Sequence, residues 1–145
     1  DLVEQQLRVA SGEKLAFRQK DVDARLKIGG HSIECRINAE DPKRKFAPSP
    51  GKISLYSAPA GNKIRMDSHI YSGYTVPPNY DSMLGKLIVH GSDRPDAVSR
   101  MRQALDQMVL EGISTTVPLL REVMGHVKFV TGAYDTNFLA SEMGL

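Results

Sequence analysis

At 145 residues the chain has the length of one domain, enough to bury a core. Hydrophobic residues make up 41% and charged residues 25%, a globular balance that excludes a disordered tail, and no apolar run approaches a membrane span. The net charge of +2, with neither half basic, offers nothing for nucleic acid; the single cysteine, Cys35, excludes an internal disulfide and points to a reducing, cytoplasmic compartment.

In chain order, Leu2, Val3, Gln6, Leu7 and Ala10 follow helical spacing, with Gly12 where a C-cap would sit. No capping residue or entry loop precedes this helix, and no initiator Met is present. The expectation is a piece of a longer polypeptide, with a trimmed N-terminus as the alternative. The first dozen residues are too polar for the apolar stretch of a signal peptide. From Leu15 to Asp67 the pattern reads as period two. Ile33, Cys35 and Ile37 alternate with Ser32, Glu34, Arg36 and Asn38, which predicts a strand with one buried and one polar face. Gly29-Gly30 ahead of it reads as a hairpin signal. Short strands are expected at 53–56 and 63–66, divided by Pro48-Ser49-Pro50-Gly51 and Pro59-Ala60-Gly61-Asn62, and a buried strand at 84–90.

Helices follow. Ser92 or Asp93 can cap, Pro95 fits a first turn, and Val98, Met101, Leu105, Met108 and Val109 mark one face closed by Gly112. A second helix is expected from Thr115 or Thr116 to Gly125, and a short last one capped by Asp135 and carrying Phe138, Leu139 and Met143. Strands first and helices afterwards give an α+β fold with an antiparallel sheet.

Among candidate chemistries, metal binding finds no support: His31, His69, His90 and His126 have no second ligand at metal spacing. Cys35 falls on the apolar side of its strand and reads as a core thiol. Gly29-Gly30 leads into a strand, so no phosphate-binding loop is evident. Lys43-Arg44-Lys45 reads as a solvated surface run. Two segments stand out. In the first, 34–42, Arg36 lies on the polar face of its strand between Glu34 and Asn38; it is either a rigid guanidinium for a planar anion or a surface ion pair with Glu34. The second, 67–86, is a long irregular connection with three tyrosines, and Asp81 precedes its closing strand. Spacing leaves open whether it is functional or an aromatic-anchored structural loop.

At these segments the sequence resembles the C-terminal domain of biotin carboxylase, the ATP-dependent component of the biotin-dependent carboxylases. The resemblance runs end to end. It covers Asp1-Leu2-Val3-Glu4-Gln5-Gln6-Leu7, 34–42, Pro48-Ser49-Pro50-Gly51-Lys52-Ile53, 68–86, Glu111-Gly112-Ile113 and Thr136-Asn137-Phe138-Leu139. It implies a rudiment-hybrid-motif fold over 1–145, with an N-terminal domain and an ATP-grasp domain ahead of it in the parent. The implied reaction uses ATP and bicarbonate to carboxylate biotin on its carrier protein, a first step toward acetyl-CoA carboxylation and fatty acid synthesis. Arg36 is the implied contact to bicarbonate and to the biotin ureido oxygen, and the catalytic residue. Asp81 and Glu34 are implied neighbours that fix it, Phe138 lies near the adenine pocket, and Arg65 is at a homodimer interface. There the aromatic expected three residues earlier is Asn62. Biotin, ATP and magnesium are the implied cofactors, the latter two held by the ATP-grasp part, which leaves the fragment alone inactive. A carboxyltransferase is a further partner. Competing readings are the equivalent domain of a pyruvate- or propionyl-CoA-type carboxylase and a non-catalytic assembly module.

Overall fold

Two helices form a unit of their own, Asp1–Gly30, and the rest of the chain, His31–Leu145, forms a second; a computed structural model describes all 145 residues. In the first unit α1 spans Leu2–Ala10. Its cap is Asp1 itself, contrary to the reading that no cap precedes it. The Asp1 carboxylate accepts from the amides of Val3 at 2.9 Å and Glu4 at 3.2 Å. Helix α2, Gln19–Ile28, corrects the period-two reading of this stretch. None of its residues is buried, so it carries no apolar stripe for periodicity to reveal. Asp21 starts it by accepting from the Arg18 amide at 2.8 Å. Gly29 is then a helix cap with φ +84° and not a hairpin turn.

The second unit contains β1 (His31–Asn38), β2 (Glu40–Asp41), a 3₁₀ turn (Pro42–Arg44), β3 (Ala47–Pro48), β4 (Gly51–Lys52), β5 (Leu55–Ser57), β6 (Ile64–Ser68), β7 (Thr75–Val76) and β8 (Met83–Gly91). Then come α3 (Arg94–Gln107), β9 (Val109–Glu111), α4 (Val117–Gly125), α5 (Val127–Thr131) and α6 (Phe138–Met143). The main sheet is antiparallel with order β1-β8-β6, and β2–β3, β4–β7 and β5–β9 are two-stranded ribbons. The α+β fold with an antiparallel sheet holds. No helix is long and apolar enough to cross a membrane.

One helix boundary departs from expectation. Helix α3 stops at Gln107; the backbone becomes extended at Met108, and Val109, which read as part of the last helical turn, instead opens β9 and pairs with Ser57 of β5. Leu110 there packs against both apolar clusters of the unit. Gly112 follows at φ +102°, where a Cβ would sit 2.3 Å from the Lys52 carbonyl oxygen. Residue 53 likewise lies outside β5; its amide donates to the Tyr74 carbonyl instead. Helix α5 lies where no element was expected, and α6 is capped at Asn137, with Asp135 accepting from the Asn137 amide at 2.8 Å.

The larger core lies between one face of the sheet and α3–α4. Ile33, Cys35 and Ile37 of β1 and Leu87 and Val89 of β8 meet Ala97, Val98, Met101, Ala104 and Leu105 of α3 and Val117, Leu119, Val123 and Met124 of α4. A smaller cluster joins Ala39, Ile53, Ile70, Val76 and Leu84. Arg94 at the start of α3 donates to the carbonyls of Phe129 and Val130 and stacks over the Phe129 ring at 5.0 Å, tying α5 down. Leu87 is fully buried at the centre of the sheet, whereas Ile88 faces the other side and is half-buried. Leu87→Ala should therefore cost about 2–5 kcal/mol in urea unfolding. Ile88→Ala should cost clearly less; equal losses would contradict this assignment of faces.

Candidate functional site

Strand β1 pairs with β8 so that Arg36 stands opposite Lys86, which in turn stands opposite Asp67 on β6. The inward side chains Ile33, Cys35 and Ile37 hold the strand against α3 and α4, and alternation leaves Glu34 and Arg36 on the open face. The Arg36 side chain is 70% exposed. Its carboxylate neighbour within 4.0 Å is Glu34, with Nε to Oε1 at 3.7 Å, an ion pair too long for a hydrogen bond. The guanidinium thus sits on a rigid strand with its donors available to a planar anion.

Asp81 is placed differently from expectation. Its carboxylate accepts from the Met83 amide at 2.7 Å and so opens β8, and the pairing with Arg36 falls to Glu34. The two segments that stood out in the sequence are nevertheless brought together. Glu40 accepts from the Asn38 amide nitrogen Nδ2 at 3.3 Å and from the Ser82 hydroxyl. The Ala39 amide donates to the Ser82 carbonyl at 2.8 Å, and the Ser68 hydroxyl donates to the Leu84 carbonyl at 2.6 Å. The connection before β8 is also a structural element: Ile70 and Val76 are buried, and half-buried Tyr74 meets His69 and Tyr71 edge-on. Tyr71 and Tyr80 stay exposed.

Sequence reading missed Thr116. Its hydroxyl donates to the Arg36 carbonyl at 3.1 Å and accepts from the Asn38 amide at 3.0 Å, and its own amide donates to the Asn38 carbonyl at 3.0 Å. Eighty residues separate it from Arg36, and no local spacing rule connects a helix entrance to a strand edge.

Arg65 shares the open face of the main sheet with Arg36, one row over and two strands away, whereas Phe138 lies on α6. Arg65, on β6, bonds Asp67 at 2.7 Å; that hydrogen bond, more than simple charge, holds the Asp67 carboxyl below its ordinary range. Phe138 is buried at the start of α6, edge-on to His126 at 5.0 Å and to Tyr134 at 5.8 Å, and borders a pocket of about 250 Å³ with Tyr134 and Asp135. Lys43, Arg44 and Lys45 are exposed, as a solvated run should be.

Residues 34–141 match the biotin carboxylase C-terminal domain family. The chain is 50% identical over 145 residues to the biotin carboxylase of Pseudomonas aeruginosa, covering 100% of this chain and 31% of that protein. It is also 50% identical over 139 residues to one of the pyruvate carboxylase subunits of Methanothermobacter thermautotrophicus, covering 96% and 28%. Among solved structures it is similar to the biotin carboxylase domain dimer of the Hydrogenobacter thermophilus 2-oxoglutarate carboxylase in complex with MgADP, ADP and bicarbonate. That match has a TM-score of 0.89 and 45% identity, over 96% of this chain and 30% of that one. The chain therefore spans about a third of the length of the curated relatives it matches.

Cys35 shares β1 with Arg36 but faces inward at 3% exposure; burial first, then the neighbouring Glu34 charge, pushes its thiol up to about 12. The thiol is protonated at pH 8 and stays inert. Cys35 in the native protein at pH 8 should resist iodoacetamide, while in denaturant it should be labelled, as peptide mapping would read; rapid native labelling of Cys35 would contradict the inward register of β1.

Proposed function

The chain belongs to the biotin carboxylase C-terminal domain family, and on that premise we propose that it forms the C-terminal part of a biotin carboxylase whose larger part lies outside residues 1–145. The larger part, an N-terminal and an ATP-grasp domain, binds ATP and magnesium and converts bicarbonate to carboxyphosphate. Residues 1–145 add Arg36 to the place where bicarbonate and biotin meet. One observation carries this reading: Arg36 is fixed through its backbone while its guanidinium is 70% exposed and makes no hydrogen bond within the chain.

The chemistry suits that arrangement. Carboxyphosphate breaks into CO2 and phosphate, the phosphate accepts the biotin N1′ proton, and the N1′ nitrogen forms its bond to the CO2 carbon. Negative charge then builds on the ureido oxygen, and a fixed guanidinium stabilises it without reorganising at the moment of reaction. Glu34, exposed and 3.7 Å away, holds the guanidinium over the face weakly enough for an anion to replace it.

Biotin arrives on a biotin carboxyl carrier protein, and a carboxyltransferase takes the carboxyl group onward. We assign the parent to the acetyl-CoA carboxylase type, in cytoplasmic fatty acid synthesis, on its 50% identity to a biotin carboxylase over the whole chain. The equal identity to a pyruvate carboxylase component supports the alternative in which pyruvate is the acceptor, and carboxylation assays with acetyl-CoA and with pyruvate separate the two. Phe138 and its pocket serve the adenine side, and the exposed Arg65 serves a homodimer contact.

In the full-length protein, Arg36→Ala should lower biotin carboxylation by about 10²–10³-fold while circular dichroism stays unchanged. Bicarbonate-dependent ATP hydrolysis should fall by a different factor, because it needs no stabilised ureido oxygen. Carboxylation near the wild-type rate would make this domain a structural wall and the site assignment wrong.

A further inference from the structure

We propose that Thr116 is a positioning residue for Arg36, acting through the backbone of β1; this inference rests on the reading of Arg36 given above. On one side β1 is held by β8, but the ladder is interrupted by a register shift between Ile37 and Asn38, next to Arg36. On the other side β1 is an edge strand of its sheet. The backbone groups of Arg36 and Asn38 that point to that edge need partners, since buried edge groups left unpaired are costly. Thr116 supplies them. Its hydroxyl donates to the Arg36 carbonyl at 3.1 Å and accepts from the Asn38 amide at 3.0 Å, and its amide donates to the Asn38 carbonyl at 3.0 Å.

What marks this as a device of the strand is where the hydroxyl does not go. Thr116 occupies the N-cap position of α4, where a threonine oxygen ordinarily accepts from an amide of its own helix. Here it makes no such bond and turns to β1 instead. The nearby hydroxyl of Thr115 accepts from the Val117 amide at 3.4 Å, partly replacing the missing cap. Thr116 is 7% exposed, so water does not substitute for its contacts. The arginine side chain is long and solvent-exposed, and its origin on the strand is the part the fold can fix. Clamping the carbonyl of Arg36 and the amide two residues on restricts the rotation of that backbone from the open edge, at the point along β1 where the pairing with β8 is interrupted.

The test uses the full-length protein with Thr116→Val, Thr116→Ser, Arg36→Ala and the double variant Thr116→Val/Arg36→Ala. Thr116→Val keeps shape and removes the hydroxyl, and should lower kcat for biotin carboxylation by between about tenfold and 10²-fold, with KM for ATP unchanged. Thr116→Ser should restore most of it. The double variant should be no slower than Arg36→Ala alone, because the two residues act through one group. A wild-type rate for Thr116→Val beside a collapsed Arg36→Ala overturns the inference and leaves the reading of Arg36 standing. Losses that multiply in the double variant also overturn it, since Thr116 then acts on something else. A near-normal Arg36→Ala removes the reading itself. Should Thr116→Val not fold, Thr116→Cys takes its place, keeping the volume and weakening the bond. An intermediate kcat supports the inference and a wild-type kcat overturns it.

Discussion

The antiparallel pairing of β1 with β8, from His31 opposite Gly91 to Ile37 opposite Gly85, is the constraint on which the second unit depends. It sets three apolar side chains of β1 beside Leu87 and Val89 as one floor for α3 and α4. A one-residue slip would turn that floor to solvent and carry Glu34 and Arg36 into the core. The cost of burying an unpaired guanidinium makes such a slip prohibitive, so packing on one face dictates what the other presents. Gly85 allows this geometry, because a Cβ there would lie 2.6 Å from the Met66 methyl carbon and 2.8 Å from the Asp67 carbonyl oxygen of β6. The packed face and the open face that carries Arg36 are therefore one decision of the backbone.

Charges on the open face follow a graded pattern. Across the sheet Arg36, Lys86 and Asp67 form one row and Glu34, Ile88 and Arg65 the next. Asp67 is committed to Arg65 by a hydrogen bond of 2.7 Å. Glu34 sits only loosely against Arg36 at 3.7 Å, and Lys86 has no carboxylate within 4.0 Å. The face keeps positive charge beside Arg36 that its own carboxylates do not neutralise. The Glu34–Arg36 pair is exposed and worth little in water, so displacing Glu34 costs little.

Much of this was legible in the sequence where a rigid period was at work. The alternation at 32–38 located β1, its buried face and the outward Arg36, and the consecutive Leu87-Ile88-Val89 located β8. The two candidate caps, Ser92 and Asp93, together with Pro95 located the start of α3, and Asp93 is the one that caps. Failures came where a signal was absent or tertiary. Helix α2 buries nothing and so leaves no amphipathic trace. Met108 and Val109 continue a helical apolar pattern, but Met108 becomes the extended cap of α3 and Val109 pairs with β5, so tertiary pairing won over local propensity. The resemblance implied Asp81 as a partner for Arg36, yet the amide of Met83 claims its carboxylate at the start of β8. Thr116 could not be found from spacing, since its role exists only once the entrance of α4 lies against the edge of β1.

The central claim is that a strand fixed by packing delivers a guanidinium ready for an anion at Arg36. A crystal structure of the full-length protein with bicarbonate and biotin bound tests it most directly. The account predicts bicarbonate oxygens about 2.7–2.9 Å from the Arg36 nitrogens, the biotin ureido oxygen toward the same group, and the backbone of β1 unmoved. Bicarbonate and biotin held by other residues, with Arg36 still facing Glu34 alone, would contradict it.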